Sequence, residues 1–412
     1  MRLAITVVAA CILLSGCIQP DLAVQSGSVA LRAPVVIAVI DTGANFYLPT
    51  FAKPGPAYEP PVPARVLQLS QSGSYEQRVE QDADLWASVE KGRLYEFSGT
   101  RLLGITFAEG GAHILDQNGH GTATTYVAAR DAPDAVIVVV QALGFAQPSA
   151  CGTPTSCLLH PSYWQAIEWA ANQTWIDIIS FSFGPAFSMP DSGLVHEEAV
   201  RILAATRAAA SSGKLVVTAG GNGGIPTTQQ YSAGPPWVIC VGGAEPERAG
   251  EAVENPKGGI DVLSNMSVES PRHDSLDGTF WMGGTSFAAP SVAGTLATAL
   301  KEIREQAPTE KTDAEELRNA LNATAKTFSA TSWDPSPLMG RSGLPHDLVS
   351  WANMPILVQP QMGWGYVNAS LAPEIARRVL EQDFAIPAEK NEASVFQPAW
   401  QRAREEYWAN WR

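Results

Sequence analysis

Three short segments carry side chains that could do chemistry together. "VIAVIDTGANF" sets Asp41 directly after an apolar run. "DQNGHGTATTYVAA" puts His120 at the head of a helical pattern, and "FWMGGTSFAAPSVAGTLATAL" puts Ser286 at the head of another. A serine becomes a nucleophile for acyl transfer when a base lies within hydrogen-bond reach. The base in turn needs a carboxylate to fix its tautomer and orientation. Asp, His and Ser are those three parts. Each also has a plainer use. Asp41 could close a turn through Thr42 and Gly43. His120 could simply open its helix, and Ser286 could be a helix cap, the commoner role for serine at a helix start.

The surrounding pattern says what would position them. "VVIAVI" (35–40), "AVIVVV" (135–140), "WIDIISFSF" (175–183), "KLVVTA" (214–219) and "WVICVGG" (237–243) are continuous apolar runs. Such runs suit strands buried on both faces. Helical patterns at 120–130, 162–173, 194–211 and 286–304 alternate with them. This alternation predicts an α/β fold, a doubly wound, mostly parallel sheet with helices on both faces. Ligands bind such sheets at the carboxyl ends of the strands, where Asp41 stands. The proline-rich stretch 49–63 reads as a surface loop. Residues 75–92 read as an acidic helix within an insertion near 49–100. A capping box pairs Thr312 with Glu315 ahead of 312–323. Residues 373–412 read as a helical tail with the aromatic ending "YWANWR", docking on the main domain.

The chain has 412 residues, 45% of them hydrophobic, and a net charge of −14. That is enough apolar material for a large core. No basic stripe is present, which argues against nucleic-acid binding. The first residues, "MRLAITVVAACILLSGCIQP", place one Arg before a short apolar run and then Ser15, Gly16 and Cys17. The run is too short for a mature membrane span and has the layout of a secretory signal. "LLSGC" resembles the lipobox of bacterial lipoproteins. That resemblance implies a signal over 1–16, cleavage before Cys17, acylation of Cys17, and a tether over 17–33. Ile18 after the cysteine favours the outer membrane. The plainer alternative is an ordinary signal with a chance cysteine. Cys151 and Cys157 flank a turn-rich loop and could close a local disulfide in an oxidising compartment, or stay two thiols. Cys240 reads as a small buried residue.

"DTG", "NGHGT" and "GTSFAAP", in the order Asp, His, Ser, resemble the three motifs of subtilisin-like serine peptidases. The resemblance covers about 34–372, from the first strand to "GWGYVNASLA", and implies that family's fold. It implies that Asp41 orients the base, His120 is general base and acid, and Ser286 is the nucleophile. "VVTAGGNGG" implies that Asn222 donates to the oxyanion, with the Ser286 N–H as second donor. By the same resemblance Ser182, Phe183 and Gly184, with Ala219, Gly220 and Gly221, line the first specificity pocket. Gly283 and Gly284 leave room for an extended peptide, and Pro290 falls early in its helix, where a missing N–H costs least. The other histidines (His113, His160, His196, His273, His346) read as structural or exposed.

Departures are visible too. The Asp-to-His gap is 120 − 41 = 79 residues, wide for the family. Cys17 and Asp41 are 41 − 17 = 24 residues apart, which leaves no room for a folding-assisting propeptide. "NMSVESPRHDSLDGTF" lacks the usual "APG" ahead of the serine, which bears on the local substrate wall. No cofactor is required by this chemistry. Calcium is common in the family, but no ligand loop of recognisable spacing is present.

Three rivals stand beside this reading. "DTG" also resembles the active-site loop of aspartic peptidases, with "DSG" at Asp191 as second carboxylate; the strand–helix alternation opposes that all-β family. A non-catalytic lipoprotein on the same fold could bind peptides. "TAGGNGGIP" fails as a dinucleotide loop, because Pro226 stands where a helix would start. The reading taken forward is a serine endopeptidase acting on polypeptides, lipid-anchored at the bacterial cell envelope.

Overall fold

Along 35–40 every side chain is apolar, and the two alternating sets bury on opposite sides. Ile37 and Val39 pack in one cluster, Val36, Ala38 and Ile40 in another. A strand presents successive side chains to opposite faces, so such a run needs cover on both. The computed structural model describes residues 34–53, 62–108, 114–144, 163–183, 193–222, 233–245, 253–254, 260–309, 312–326, 363–387, 401, 404–405 and 408–409, with backbone alone for 193–198 and 253–254. Cys17, Cys151, Cys157, Gly184, Asp191 and the segments 1–16 and 17–33 lie outside the described residues.

In chain order the elements are β1 (Val36–Asp41), β2 (Arg65–Leu67), α1 (Tyr75–Gln81), α2 (Ala83–Ala87), β3 (Tyr95–Phe97), β4 (Leu102–Thr106), α3 (His120–Asp131), β5 (Val136–Gln141), α4 (Tyr163–Asn172) and β6 (Ile178–Phe181). They continue with α5 (Gly193–Ser211), β7 (Leu215–Ala219), β8 (Ile239–Ala244), β9 (Val253–Glu254), β10 (Val262–Asn265), β11 (Ser267–Pro271), β12 (Thr279–Gly283), α6 (Thr285–Gln306), α7 (Ala314–Thr324) and α8 (Ala372–Glu381). The main sheet runs β10-β8-β7-β6-β1-β5-β4-β3-β2, with β9 on β8. Its central pairs are parallel, in register Ile37↔Ile137 and Ile37↔Ile178. The predicted α/β fold is what forms: α3, α6 and α8 cover one face, α4 and α5 the other.

Helix α6 runs through the centre of its layer. Its small residues, Ala288, Ala289, Ala293 and Ala297, are buried, which lets neighbours come close. Gly294 is where α3 approaches; a Cβ there would lie 2.8 Å from the Asp131 Cβ. Ser291 Oγ donates to Asp131 Oδ2 at 2.6 Å across the same contact. The far end of α3 is closed by Arg101, buried on the edge of β4, which donates to the carbonyls of Ala129 (2.6 Å), Ala132 (2.9 Å) and Pro133. A cation at a helix C-terminus satisfies orphan carbonyls and suits the dipole.

Several expectations need correction. The helix expected over 75–92 is two short ones, α1 and α2, ending at Ala87. They break at Asp82, whose buried carboxylate turns inward to accept from Tyr47 OH (2.8 Å), Ser70 N (2.9 Å) and Ser70 Oγ (2.6 Å). The stretch from 49 is not all surface: Pro49–Phe51 makes a 3₁₀ turn with Phe51 in the core. The insertion extends the sheet by β2 and β3 and is seated by Phe46, Trp86 and Phe97, with Phe46 and Phe97 stacked at 3.8 Å. Helix α7 is capped one residue later than expected. Asp313 accepts from Glu315 N at 2.9 Å and Glu316 reaches back to Asp313 N at 3.4 Å, because Thr312 precedes the cap.

The tail does dock. Trp408 is buried, and Arg404 is 0% exposed. Arg404 donates to Asp261 Oδ1 at 2.9 Å and to the carbonyls of Gly234 (2.9 Å) and Pro235 (2.7 Å). Arg318 reaches the same Asp261 oxygen at 3.2 Å. Burial opposes the Asp261 charge, but Arg404 and Arg318 together hold its pKa below the ordinary carboxylate value.

Candidate active site

The carboxyl end of β1 leads straight into a turn built by contact rather than by chance. Gly43 has φ +114, and a Cβ on it would sit 2.3 Å from the Ile114 carbonyl oxygen. The chain therefore folds back tightly after Asp41. Asp41 is buried, with Thr42 N donating to its Oδ1 at 2.8 Å and Thr124 Oγ1 to its Oδ2 at 3.1 Å. Its two oxygens face His120 Nδ1 at 2.8 and 2.9 Å.

His120 opens α3 as expected, after Gly119 at φ +99. Two devices set its position. Asp116 collects the loop: its Oδ1 accepts from Thr42 Oγ1, Asn118 N and Gly119 N, each at 2.9 Å. Its Oδ2 accepts from Thr122 N and Thr122 Oγ1, both at 2.7 Å. Thr42 Oγ1 in turn accepts from Gly121 N at 2.8 Å, and Gly121 must be glycine, since a Cβ would meet the Gly43 carbonyl oxygen at 2.3 Å. Sequence reading passed over Asp116. A carboxylate four residues ahead of a helix-opening His, across an Asn-Gly turn, was the available signal for an N-terminal anion partner.

The imidazole ring keeps 26% of its surface and packs on Phe287 at 5.5 Å between ring centres. Burial lowers the imidazolium's pKa, yet the Asp41 charge and hydrogen bond, joined by Asp116, outweigh it and hold the pKa above the ordinary histidine value. Nδ1 is occupied by Asp41, which leaves Nε2 as the working nitrogen. Among the described residues no hydrogen bond joins Ser286 Oγ to the ring; this contact commonly tightens when substrate binds.

Ser286 is not the cap. Gly284 is, at φ +135, and Ser286 is the second residue of α6. Its backbone N–H is one of the four that a helix start leaves without an intrahelical partner, and it has no acceptor among the described residues. Asn222, past the end of β7, stands against this start. Its Oδ1 accepts from Thr285 N at 3.0 Å and Thr285 Oγ1 at 2.8 Å. That turns Nδ2 the other way, beside Gly284, where a Cβ would come within 2.7 Å of it. Asn222 Nδ2, beside Gly284, and the Ser286 N–H, two residues further on, are thus both uncommitted among the described residues, and such donors suit a developing oxyanion. Gly284 is also glycine for its φ and for the closeness of Asn222. At Gly283 a Cβ would meet nothing within 4 Å.

Pro290 is also not where expected. It is the sixth residue of α6, beyond the first turn. The N–H it lacks would have bonded the carbonyl of Ser286, four residues back. Ser182 Oγ donates to that carbonyl instead, at 2.9 Å. So Ser182 supports the serine's backbone. Phe183 stacks on Tyr163 at 4.0 Å. Ala219 is buried, Gly220 N donates to the Val241 carbonyl at 2.8 Å, and Gly221, at φ +92, donates to Thr285 Oγ1 at 3.1 Å. These residues stand at the carboxyl ends of the paired strands β6 and β7.

The segment without "APG" forms an antiparallel hairpin, β11–β12, in register Val268↔Met282 and Glu269↔Trp281. Asn45 pins its tip, Nδ2 donating to the carbonyls of Ser275 (2.9 Å) and Arg272 (3.4 Å). Gly284 N donates to the Met266 carbonyl at 3.0 Å and closes its base. Trp281 stands out from it, 71% exposed. His273, in the hairpin tip, lies against Gly119: a Cβ there would be 2.9 Å from its Nδ1. Among the described residues no three His, Cys, Asp or Glu side chains gather as metal ligands.

A parallel α/β sheet with a carboxylate–imidazole pair at a strand end, and a serine at the start of a helix packed against the one bearing the histidine, points to a class, the serine hydrolases with this fold. The chain belongs to the Subtilase family: the Peptidase_S8 family model matches residues 33–347. It is a serine peptidase. A lanthipeptide protease of known structure is similar in fold, with a TM-score of 0.51 and 19% identity over 83% of this chain and 87% of that one. The prenylagaramide maturation protease PagA (TM-score 0.48, 18% identity, 84% and 94% covered) and a cold adapted subtilisin-like serine proteinase (0.44, 20%, 72% and 84%) also match. No curated protein sequence matches the chain. The α/β sheet excludes the all-β aspartic-peptidase fold.

Proposed function

We propose that the chain is an endopeptidase that cleaves polypeptides through an acyl-enzyme on Ser286. His120 takes the hydroxyl proton on Nε2 and returns it to the leaving amine. Asp41 holds the ring by Nδ1 and stabilises the imidazolium. The amide of Asn222 and the N–H of Ser286 receive the oxyanion. Water then repeats the sequence on the acyl-enzyme. These side chains supply the base, nucleophile and oxyanion donors, so the reading needs no cofactor. Ser182, Phe183, Ala219, Gly220 and Gly221 form the first specificity pocket, with Gly184 as a further member. The observation that carries the reading is the buried Asp41 carboxylate at 2.8 Å from His120 Nδ1, on a helix packed against the one bearing Ser286.

We read the peptidase as lipid-anchored through Cys17 at the bacterial cell envelope, on "LLSGC". A fluorophosphonate probe should label the wild type and not Ser286→Ala, with casein hydrolysis lost in the same variant. Equal labelling, or hydrolysis that survives, overturns the reading. Metabolic palmitate labelling should vanish in Cys17→Ala; persistence overturns the anchor.

A further inference from the structure

Lys214 stands just ahead of β7, at the opposite end of that strand from Asn222. Eight residues separate the two, on the order of 25 Å at about 3.3 Å per extended residue. Lys214 is 6% exposed. Its ammonium makes no hydrogen bond or ion pair with any described residue. Its Nζ is not among the buried polar atoms left without a partner, so the stem is buried while the ammonium opens to solvent. Burial lowers the Lys214 pKa, while the charge of Asp177 pulls it up.

Lys214 lines a cavity of about 520 Å³, within the range that holds small ligands. Trp237 and Trp364 give it apolar walls. The other cation of the lining, Arg318, is spent on Asp261 Oδ1 and the carbonyls of Pro236 and Val238. Lys214 is therefore the positive charge left to meet a ligand. Asp313, Glu315 and Glu405 also line the cavity, and all three are exposed. Asp313 and Glu405 accept one hydrogen bond each from neighbours, at 2.9 and 3.3 Å, and keep lone pairs to spare. The cavity lining thus combines a cation without an ion-pair partner among the described residues, two indoles, and three exposed carboxylates.

We propose that this cavity binds a small zwitterion, a free amino acid or short peptide, with its carboxylate on Lys214 and its ammonium among Asp313, Glu315 and Glu405. An anion alone would satisfy Lys214 but meet the acidic rim. A cation alone would suit the rim and leave Lys214 bare. Only a ligand carrying both charges answers both ends.

The test is calorimetry on the full chain carrying Ser286→Ala, which cannot turn a peptide over. The probes are alanyl-leucine, its C-terminal amide and its N-acetyl form. The dipeptide should bind, and each blocked form should bind about tenfold or more weakly, the factor a charge-assisted hydrogen bond carries. Lys214→Met should lose the dipeptide while keeping its melting temperature, and Lys214→Arg should retain binding. Glu405→Gln, on the exposed rim, should weaken the dipeptide but not the N-acetyl form, and serves if Lys214→Met does not fold. Equal affinity for dipeptide and amide, unchanged binding in Lys214→Met, or no binding of any probe overturns the proposal. So does loss of binding when the wild type is blocked with a fluorophosphonate, which would put the dipeptide in the catalytic cleft. A wild type that resists the fluorophosphonate would count against the peptidase reading alone.

Discussion

The hydroxyl of Ser182 donates to the carbonyl of Ser286 at 2.9 Å, in the place of an N–H that Pro290 does not have. The proline frees the Ser286 carbonyl inside α6, and a neighbouring strand end takes it up. The position of Ser286 is thereby tied to β6 as well as to α6.

Ser182→Ala should leave that carbonyl without a partner in a partly buried place, which costs about 1–3 kcal/mol. Both melting temperature and kcat should fall. Pro290→Ala restores the N–H and should recover much of the loss in the double variant. A double-mutant cycle reads this directly; simple additivity of the two changes contradicts the mechanism.

Asn222→Ala should lower kcat by about 10²–10³, the figure known for the corresponding donor in subtilisin rather than one obtained from this structure. Thr285→Val is the sharper experiment. It removes the Oγ1 contact at 2.8 Å but leaves the Thr285 N–H on Asn222. The amide should be less well aimed, so kcat should fall by less than in Asn222→Ala with KM little changed. A change confined to KM argues against the aiming role.

The raised pKa of His120 sets the pH profile. The base must be neutral, so kcat/KM should rise with pH through a midpoint above the ordinary histidine value. In Asp41→Asn the larger of the two charges that raise the pKa is gone, Asp116 remains as the smaller, and burial, which lowers it, is unchanged. The midpoint should move to lower pH while the plateau drops by about 10⁴, as when an orienting Asp is removed elsewhere. A midpoint that stays put would mean another group controls the rate. Asp116→Asn should leave Ser286 reactive to a fluorophosphonate but slow the labelling, because the loop that carries His120 loses charge-assisted bonds.

Arg404→Met should destabilise the fold by about 1–3 kcal/mol, since Asp261 keeps Arg318 but the buried carbonyls of Gly234 and Pro235 lose their donor. The sign with pH follows from the depressed Asp261 pKa. Its stabilisation is present above the unfolded carboxylate pKa and is lost as pH falls through the lower folded value. The wild-type advantage over the variant should therefore shrink in acid. Thermal melts across pH 2–7, the window set by an ordinary carboxylate near 4 and its lowered folded value, measure this.

The chemical groups were legible because their signals are local. An Asp after a buried strand and a Ser and a His at helix starts each announce themselves within about ten residues. The central strands were legible because burial on both faces demands unbroken apolar runs. What was missed depends on contacts far away in the chain. β2 and β3 are three residues each and take their partners at the sheet edge. The hairpin β11–β12 carries Pro, Arg, His and Asp at its turn and is held by Asn45 from 230 positions upstream. Nothing around Arg404 foretells a buried guanidinium, because its partner Asp261 lies 143 positions earlier. The 75–92 pattern reads as one helix because Asp82 looks like a surface acid until Tyr47 and Ser70 are brought to it.

The clasp between Ser291 and Asp131, with Gly294 letting the helices close on each other, has a consequence for the life of the molecule. His120 and Ser286 ride on α3 and α6, so their spacing is a reading of how well the interior is assembled. On the proposed mechanism, a core that loosens between α3 and α6 parts base from nucleophile, so the integrity of the interior and the activity are lost together.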